Sequence, residues 1–142
     1  MKKMIFSMIC MMVLCISASA QVKTFSNVLE DDLLVLNAST CKENQLHGYW
    51  LWVRYDYKNA KDCRKAAKAD GIKGKAVRAE YLYEFDEPVL QYRILRKVYY
   101  DKNGRELGCI NYNNASWNVI GDTDYSLKVA HYLAMNFPIT VG

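Results

Sequence analysis

Tyr49-Trp50-Leu51-Trp52-Val53-Arg54-Tyr55-Asp56-Tyr57 is the stretch on which the fold turns. Side chains of an extended strand alternate between two faces, so Tyr49, Leu51, Val53, Tyr55 and Tyr57 point one way. The other face passes from Trp50 and Trp52 to Arg54 and Asp56. A strand with one apolar face belongs to an antiparallel sheet buried on one side. The same period of two recurs in Val77, Ala79, Tyr81, Tyr83 and Phe85, opposed by Arg78, Glu80 and Glu84, which predicts a second strand with a wet outer face. A third strand is expected after Pro88. It has Leu90, Tyr92, Ile94, Val98 and Tyr100 on one side and Gln91, Arg93 and Lys97 on the other. Arg96 interrupts this pattern and is read as a point where the sheet edge opens to water.

Beyond it, Tyr99-Tyr100-Asp101-Lys102-Asn103-Gly104-Arg105-Glu106-Leu107 predicts a hairpin, because Asn-Gly accepts the positive φ angles of a tight reversal. The returning strand runs through Leu107, Cys109 and Ile110, with a short strand at Trp117 to Ile120 and an earlier one at Leu33 to Leu36. Two helices complete the set. Asp122 or Thr123 can cap a helix in which Leu127, Ala130, Leu133, Ala134 and Phe137 fall at helical spacing, ending before Pro138; this face is expected to lie on the sheet. The other helix runs from about Ala60 to Asp70 and stops at Gly71. Cys63, Ala66 and Ala67 give it a thin apolar side, with Lys61, Arg64, Lys65 and Lys68 outside. The class is therefore α+β: an antiparallel sheet of about five to six strands packed against a C-terminal helix, with one additional short helix.

The N-terminus is read as an export signal. Lys2 and Lys3 precede an apolar run from Met4 to Ile16, and Ala18-Ser19-Ala20 supplies the small residues a signal peptidase needs. Residues 1–20 are thus a signal peptide and 21–142 a single domain, long enough to bury a core unaided. Loss of Lys2 and Lys3 leaves 17 basic side chains against 15 acidic ones, a net charge of about +2 in place of +4. That weakens any nucleic-acid reading. After Ala20 no apolar stretch is long enough to span a bilayer, so no membrane span is expected once the signal is cleaved.

Catalytic and metal chemistry find little support in the sequence. The mature cysteines are Cys41, Cys63 and Cys109, of which two can pair in an oxidising compartment; Cys41 with Cys63 ranks lowest, because a strand over 49–57 carries them apart. No C-x-x-C occurs, and His47 and His131 are isolated, so no metal and no cofactor are expected. A thiol–imidazole pair of Cys63 or Cys109 with His131 is the enzymatic alternative, without a recognisable nucleophile motif. Gly71-Ile72-Lys73-Gly74-Lys75-Ala76 lacks the spacing and hydroxyl of a phosphate loop and reads as a helix exit. Glu84, Asp86 and Glu87 before Pro88 read as a solvated turn.

Two features point to binding instead. Lys58, Lys61, Arg64, Lys65, Lys68, Lys73 and Lys75 cluster around the first helix, and Trp50 and Trp52 share one strand face. The plainer alternatives are a solvated helix face and a sheet that favours aromatic residues for packing. From these features Lys61, Arg64, Lys65, Lys68, Trp50 and Trp52 are the candidate binding residues.

Trp52-Val53-Arg54-Tyr55-Asp56-Tyr57, Tyr92-Arg93-Ile94-Leu95 and Tyr99-Tyr100-Asp101-Lys102-Asn103-Gly104, followed by Trp117 and a closing helix, resemble the surface-adhesin protein E family of small exported bacterial proteins. The likeness spans roughly Leu33 to Asn136. It implies an antiparallel sheet on a C-terminal helix and an adhesive role toward host matrix or plasma proteins. Many members carry one cysteine after the acidic residue of the middle strand and another near the end of the last helix, where this chain has Glu87 and Met135. The family staple is absent, and the Lys-rich helix at Ala60 to Asp70 is an insertion. The expectation is an exported, non-enzymatic binding protein at the cell surface or secreted, with a macromolecular partner. The alternative is a periplasmic structural or envelope-assembly domain bound to another envelope protein.

Overall fold

The computed structural model describes residues 24–43, 48–86, 89–121 and 125–137, so the proposed signal peptide and the capping residues Asp122 and Thr123 lie outside the described residues. The fold is α+β, as the alternation predicts. Among the described residues eight strands form one antiparallel sheet: β1 (Phe25–Glu30), β2 (Leu34–Ser39), β3 (Lys42–Glu43), β4 (Tyr49–Tyr57), β5 (Arg78–Phe85), β6 (Gln91–Tyr100), β7 (Glu106–Asn111) and β8 (Asn118–Val119). Six of them stand in the order β1-β2-β4-β5-β6-β7, while β3 pairs with β4 and β8 with β6. Two helices are described: α1 (Ala60–Ala69), between β4 and β5, and α2 (Tyr125–Asn136) after β8. β1 and β3 are strands that the sequence reading did not anticipate.

Both helices cover the same face. Leu51, Val53 and Tyr55 of β4 form one cluster with Leu34 and Leu36 of β2, Tyr83 and Phe85 of β5, Cys63 and Ala67 of α1, and Val129, Ala130 and Leu133 of α2. The stripe that α2 buries is centred on Val129 and Leu133. Leu127 and Ala134, expected against the sheet, instead line a lateral cleft. Ala130, Leu133 and Phe137 pack on the core as expected, so the two readings differ by a helix rotation of about 50°, half the step of one residue.

Three expectations about the opposite face and its neighbours are corrected by the register. Leu82 pairs with Arg96 but Tyr83 with Ile94, so Leu95 is an extra residue in β6. A bulge of this kind inverts the alternation beyond it. Tyr92 and Ile94 therefore share the helix-covered face with Lys97 and Tyr99, and Val98 and Tyr100 lie on the far side, where both are buried outside the main core cluster. Arg96 is not at an edge, since β6 runs between β5 and β7 and Arg96 pairs with Asn111 of β7. The outer face of β5 is not wet at its acids either: Glu80 and Glu84 are buried. At the hairpin only Gly104 takes a positive φ (+77°), and the Asp101 carboxylate accepts the amides of Asn103 and Arg105, both at 2.9 Å.

The cysteines also depart from expectation. Each of the three pairings among Cys41, Cys63 and Cys109 requires Cys41 or Cys63, and both are free thiols, so none of those pairings is formed. Cys63 is enclosed in the core beneath α1 and Cys41 lies at the start of β3.

Candidate binding surface

The basic helix begins where the sequence places it. Asn59 is extended and its side chain accepts the amide of Lys61 at 3.0 Å, capping the first turn, and Asp62 adds a carboxylate near the positive end of the helix dipole. Its exit is fixed by Gly71 at φ +76° and by the Ile72 amide bonded to the Ala67 carbonyl at 2.9 Å. Asp70, at the C-cap, anchors the helix to the sheet: the Tyr99 hydroxyl donates to its Oδ2 at 2.5 Å and the Lys97 ammonium at 3.3 Å. Tyr99 also meets the Tyr81 hydroxyl at 3.0 Å. Burial first, then the Asp70 hydrogen bond, pushes the Tyr99 phenol far above its ordinary range, so it remains a donor at any physiological pH.

With Cys63 and Ala67 turned inward, Lys61, Arg64, Lys65 and Lys68 fall at i, i+3, i+4 and i+7 and form one exposed stripe. None of the four takes part in an ion pair among the described residues. Lys58, by contrast, pairs with Glu30 at 3.1 Å. Lys73 and Lys75 extend the positive surface along the helix exit.

Trp50 and Trp52 lie on the opposite side of the sheet from this stripe, because α1 packs on the odd-numbered face of β4. The structure thus does not bring the two groups of candidate residues together. Trp50 is 39% exposed and its indole N–H donates to Glu84 Oε2, while Arg93 Nε donates to Glu84 Oε1 at 2.6 Å. The Arg93 guanidinium also lies 4.3 Å from the centre of the Trp117 ring. Trp50, Glu84, Arg93 and Trp117 are one cluster, with Glu84 buried at its centre. The sequence reading found Trp50 alone; the outward positions of Glu84 and Arg93 on successive strands were its only signal for the rest. Trp52 is half-buried, and its backbone amide donates to the Ser39 hydroxyl at 2.8 Å.

The groups considered for nucleophilic chemistry are poorly placed for it. Of the two cysteines considered with His131, Cys63 has its thiol pushed up to about 11 by burial; Cys41, which was no candidate, is pushed up to about 11 by burial and the nearby Glu43 carboxylate. His131 lines an apolar cleft of about 580 Å³ between α2 and the chain around Leu90, Val119 and Ile120, and no cysteine lines that cleft. Among the described residues no three His, Cys, Asp or Glu side chains converge as a metal site, and no helix is long and apolar enough to cross a membrane. In comparisons with known proteins, no family model, no curated protein and no solved structure matches the chain.

Proposed function

We propose that the protein is an exported, non-enzymatic binding protein of the surface-adhesin type, which contacts an anionic patch on a host matrix or plasma protein through the Lys61, Arg64, Lys65 and Lys68 stripe of α1. The observation that carries this reading is the stripe itself: four exposed cations on one face of a 10-residue helix, without ionic partners among the described residues. Such a surface raises association rates with acidic partners and loses its reach as salt is added. Trp50, on the far face, supplies a second contact of the amphipathic kind that interfaces favour. The resemblance of the tyrosine-rich strands to the protein E adhesins supports the same role, and so does the absence, among the described residues, of any cysteine from the cleft that His131 lines, with the Cys63 thiol raised by burial.

The test is capture of the protein on immobilised host matrix and plasma proteins at low ionic strength. Replacing Lys61, Arg64, Lys65 and Lys68 together with Gln is expected to lower capture about tenfold, since four screened charge contacts are lost. The folded state is expected to be nearly unchanged, because these side chains are exposed. Unaltered capture would remove the stripe from the binding surface. Protease shaving of intact cells tests location: loss of the protein places it outside, whereas protection until the envelope is opened supports the periplasmic envelope-assembly role.

A further inference from the structure

A cavity of about 420 Å³ lies where the start of α1, the segment leading into β5 and the β6–β7 turn converge, with Arg64, Lys75 and Lys102 around it. We propose that it is a binding pocket for a phosphomonoester carried on a small polar ring, such as a sugar phosphate. The inference shares only Arg64 with the basic stripe and does not depend on the macromolecular partner.

Three separate pieces of chain deliver the three cations, and each is fixed. Arg64 stands on the second turn of α1, whose ends are held by the Asn59 cap and the Asp70 anchor. Lys75 sits between Gly74, at φ +116°, and Ala76, which is wholly buried. A β-carbon at Gly74 would come within 3.0 Å of the Leu107 side chain, so glycine permits the close approach that pins this segment to β7. The Val77 amide then joins the Tyr100 carbonyl at 2.9 Å. Lys102 belongs to the turn that the Asp101 carboxylate holds through the amides of Asn103 and Arg105.

Charge accounting favours a dianion. Asp101 is the one carboxylate among the lining residues, and it is occupied by those two amides and by Arg105 Nε at 3.5 Å. Arg64, Lys75 and Lys102 have no ion-pair partner of their own among the described residues. A phosphomonoester, near −2 at neutral pH, offsets most of this positive field, and it offers oxygens to two lysines and a planar guanidinium at once. The space exceeds a single tetrahedral oxyanion and falls within the range of small-molecule sites. Ala60 and Val77 give it an apolar side and Asn103 an amide, which suits a ring with hydroxyl groups.

Titration calorimetry of the purified protein with glucose 6-phosphate, glucose 6-sulfate and glucose, at low salt and pH 7.5, tests the pocket. The phosphate ester is expected to bind, the singly charged sulfate ester at least about fivefold more weakly, and glucose not at all. Changing Lys75 and Lys102 together to Gln is expected to weaken phosphate-ester binding about tenfold or more, with the thermal midpoint unchanged. Lys61→Gln, Lys65→Gln and Lys68→Gln together are expected to leave it within about twofold while lowering capture by the matrix partner. Absence of glucose 6-phosphate binding, equal affinity for the sulfate ester, or full binding by the Lys75 and Lys102 variant would each overturn the pocket and leave the stripe untouched.

Discussion

On the helix-covered face of the sheet, Tyr55 meets Tyr83 hydroxyl to hydroxyl, Tyr81 meets Tyr99, and Tyr99 passes the chain on to Asp70 beneath α1. On the far face the corresponding positions carry ions: Arg54 lies over Phe25, Arg78 over Tyr100, and Trp50 and Arg93 converge on Glu84. Tyrosine allows a core to be large and polar at its tips together, since each ring buries apolar area while its hydroxyl finds a partner. Paired ions allow the far face to be dense without being apolar, because guanidinium groups stack on rings while their N–H groups meet carboxylates. Both faces bury side chains, and the contrast is between tyrosine hydroxyls that pair with one another on the covered face and guanidinium groups that meet rings and carboxylates on the far one.

Substitutions on the two faces can break that contrast. The largest effect is expected from Phe85→Ala, which empties a fully buried position on the covered face and should cost about 3–5 kcal/mol in urea denaturation. A loss under about 1 kcal/mol would mean that this face is not the main core. Glu84→Gln keeps the shape of the far-face cluster and removes its charge. With Arg93 partly exposed, the expected cost is about 1–2 kcal/mol, and no change would reduce the cluster to surface decoration. Smallest is Asp31→Asn, at the rim where the β1–β2 turn meets α2. The Asp31 carboxylate accepts the amides of Leu33 and Leu34 and the Tyr125 hydroxyl, at 2.8, 2.9 and 2.8 Å. The Leu34 amide first, then Tyr125, holds this carboxyl below its usual range. Stability from a lowered carboxyl is fully present above the unfolded value near 4 and disappears as pH falls through the folded one. The wild-type advantage, about 0.5–1 kcal/mol at pH 7, should therefore shrink below about pH 4, and an advantage that persisted at pH 2 would exclude this linkage.

Alternation made the centre of the sheet readable: β4 and β5 carry a strict period of two, and the β6–β7 hairpin carries a turn glycine, which are local properties of the chain. The phase of β6 beyond Leu95 was not readable, because a bulge is set by the partner strand and leaves no mark in the strand's own composition. β1 was missed for a related reason: Phe25, Ser26, Asn27 and Val28 do not alternate, and the register shift between Asn27 and Leu29 shows why. The basic stripe followed from helical spacing alone. Its separation from Trp50, the joining of Trp50 to Glu84 and Arg93, and the meeting of Arg64 with Lys75 and Lys102 all depend on contacts between distant segments. Periodicity carries no information about those.

β4 and β5 are hydrogen-bonded neighbours along their whole length, yet residues 58–77 leave the sheet between them and return. The register of the sheet does not depend on what that excursion displays. In a lineage of related chains, Asp70, Gly71 and the small residues at Cys63 and Ala67 would be under constraint, since they seat the helix. Lys61, Lys65 and Lys68, which seat nothing, would be free to diversify, and what the helix displays could be retuned generation by generation without the scaffold having to be reinvented.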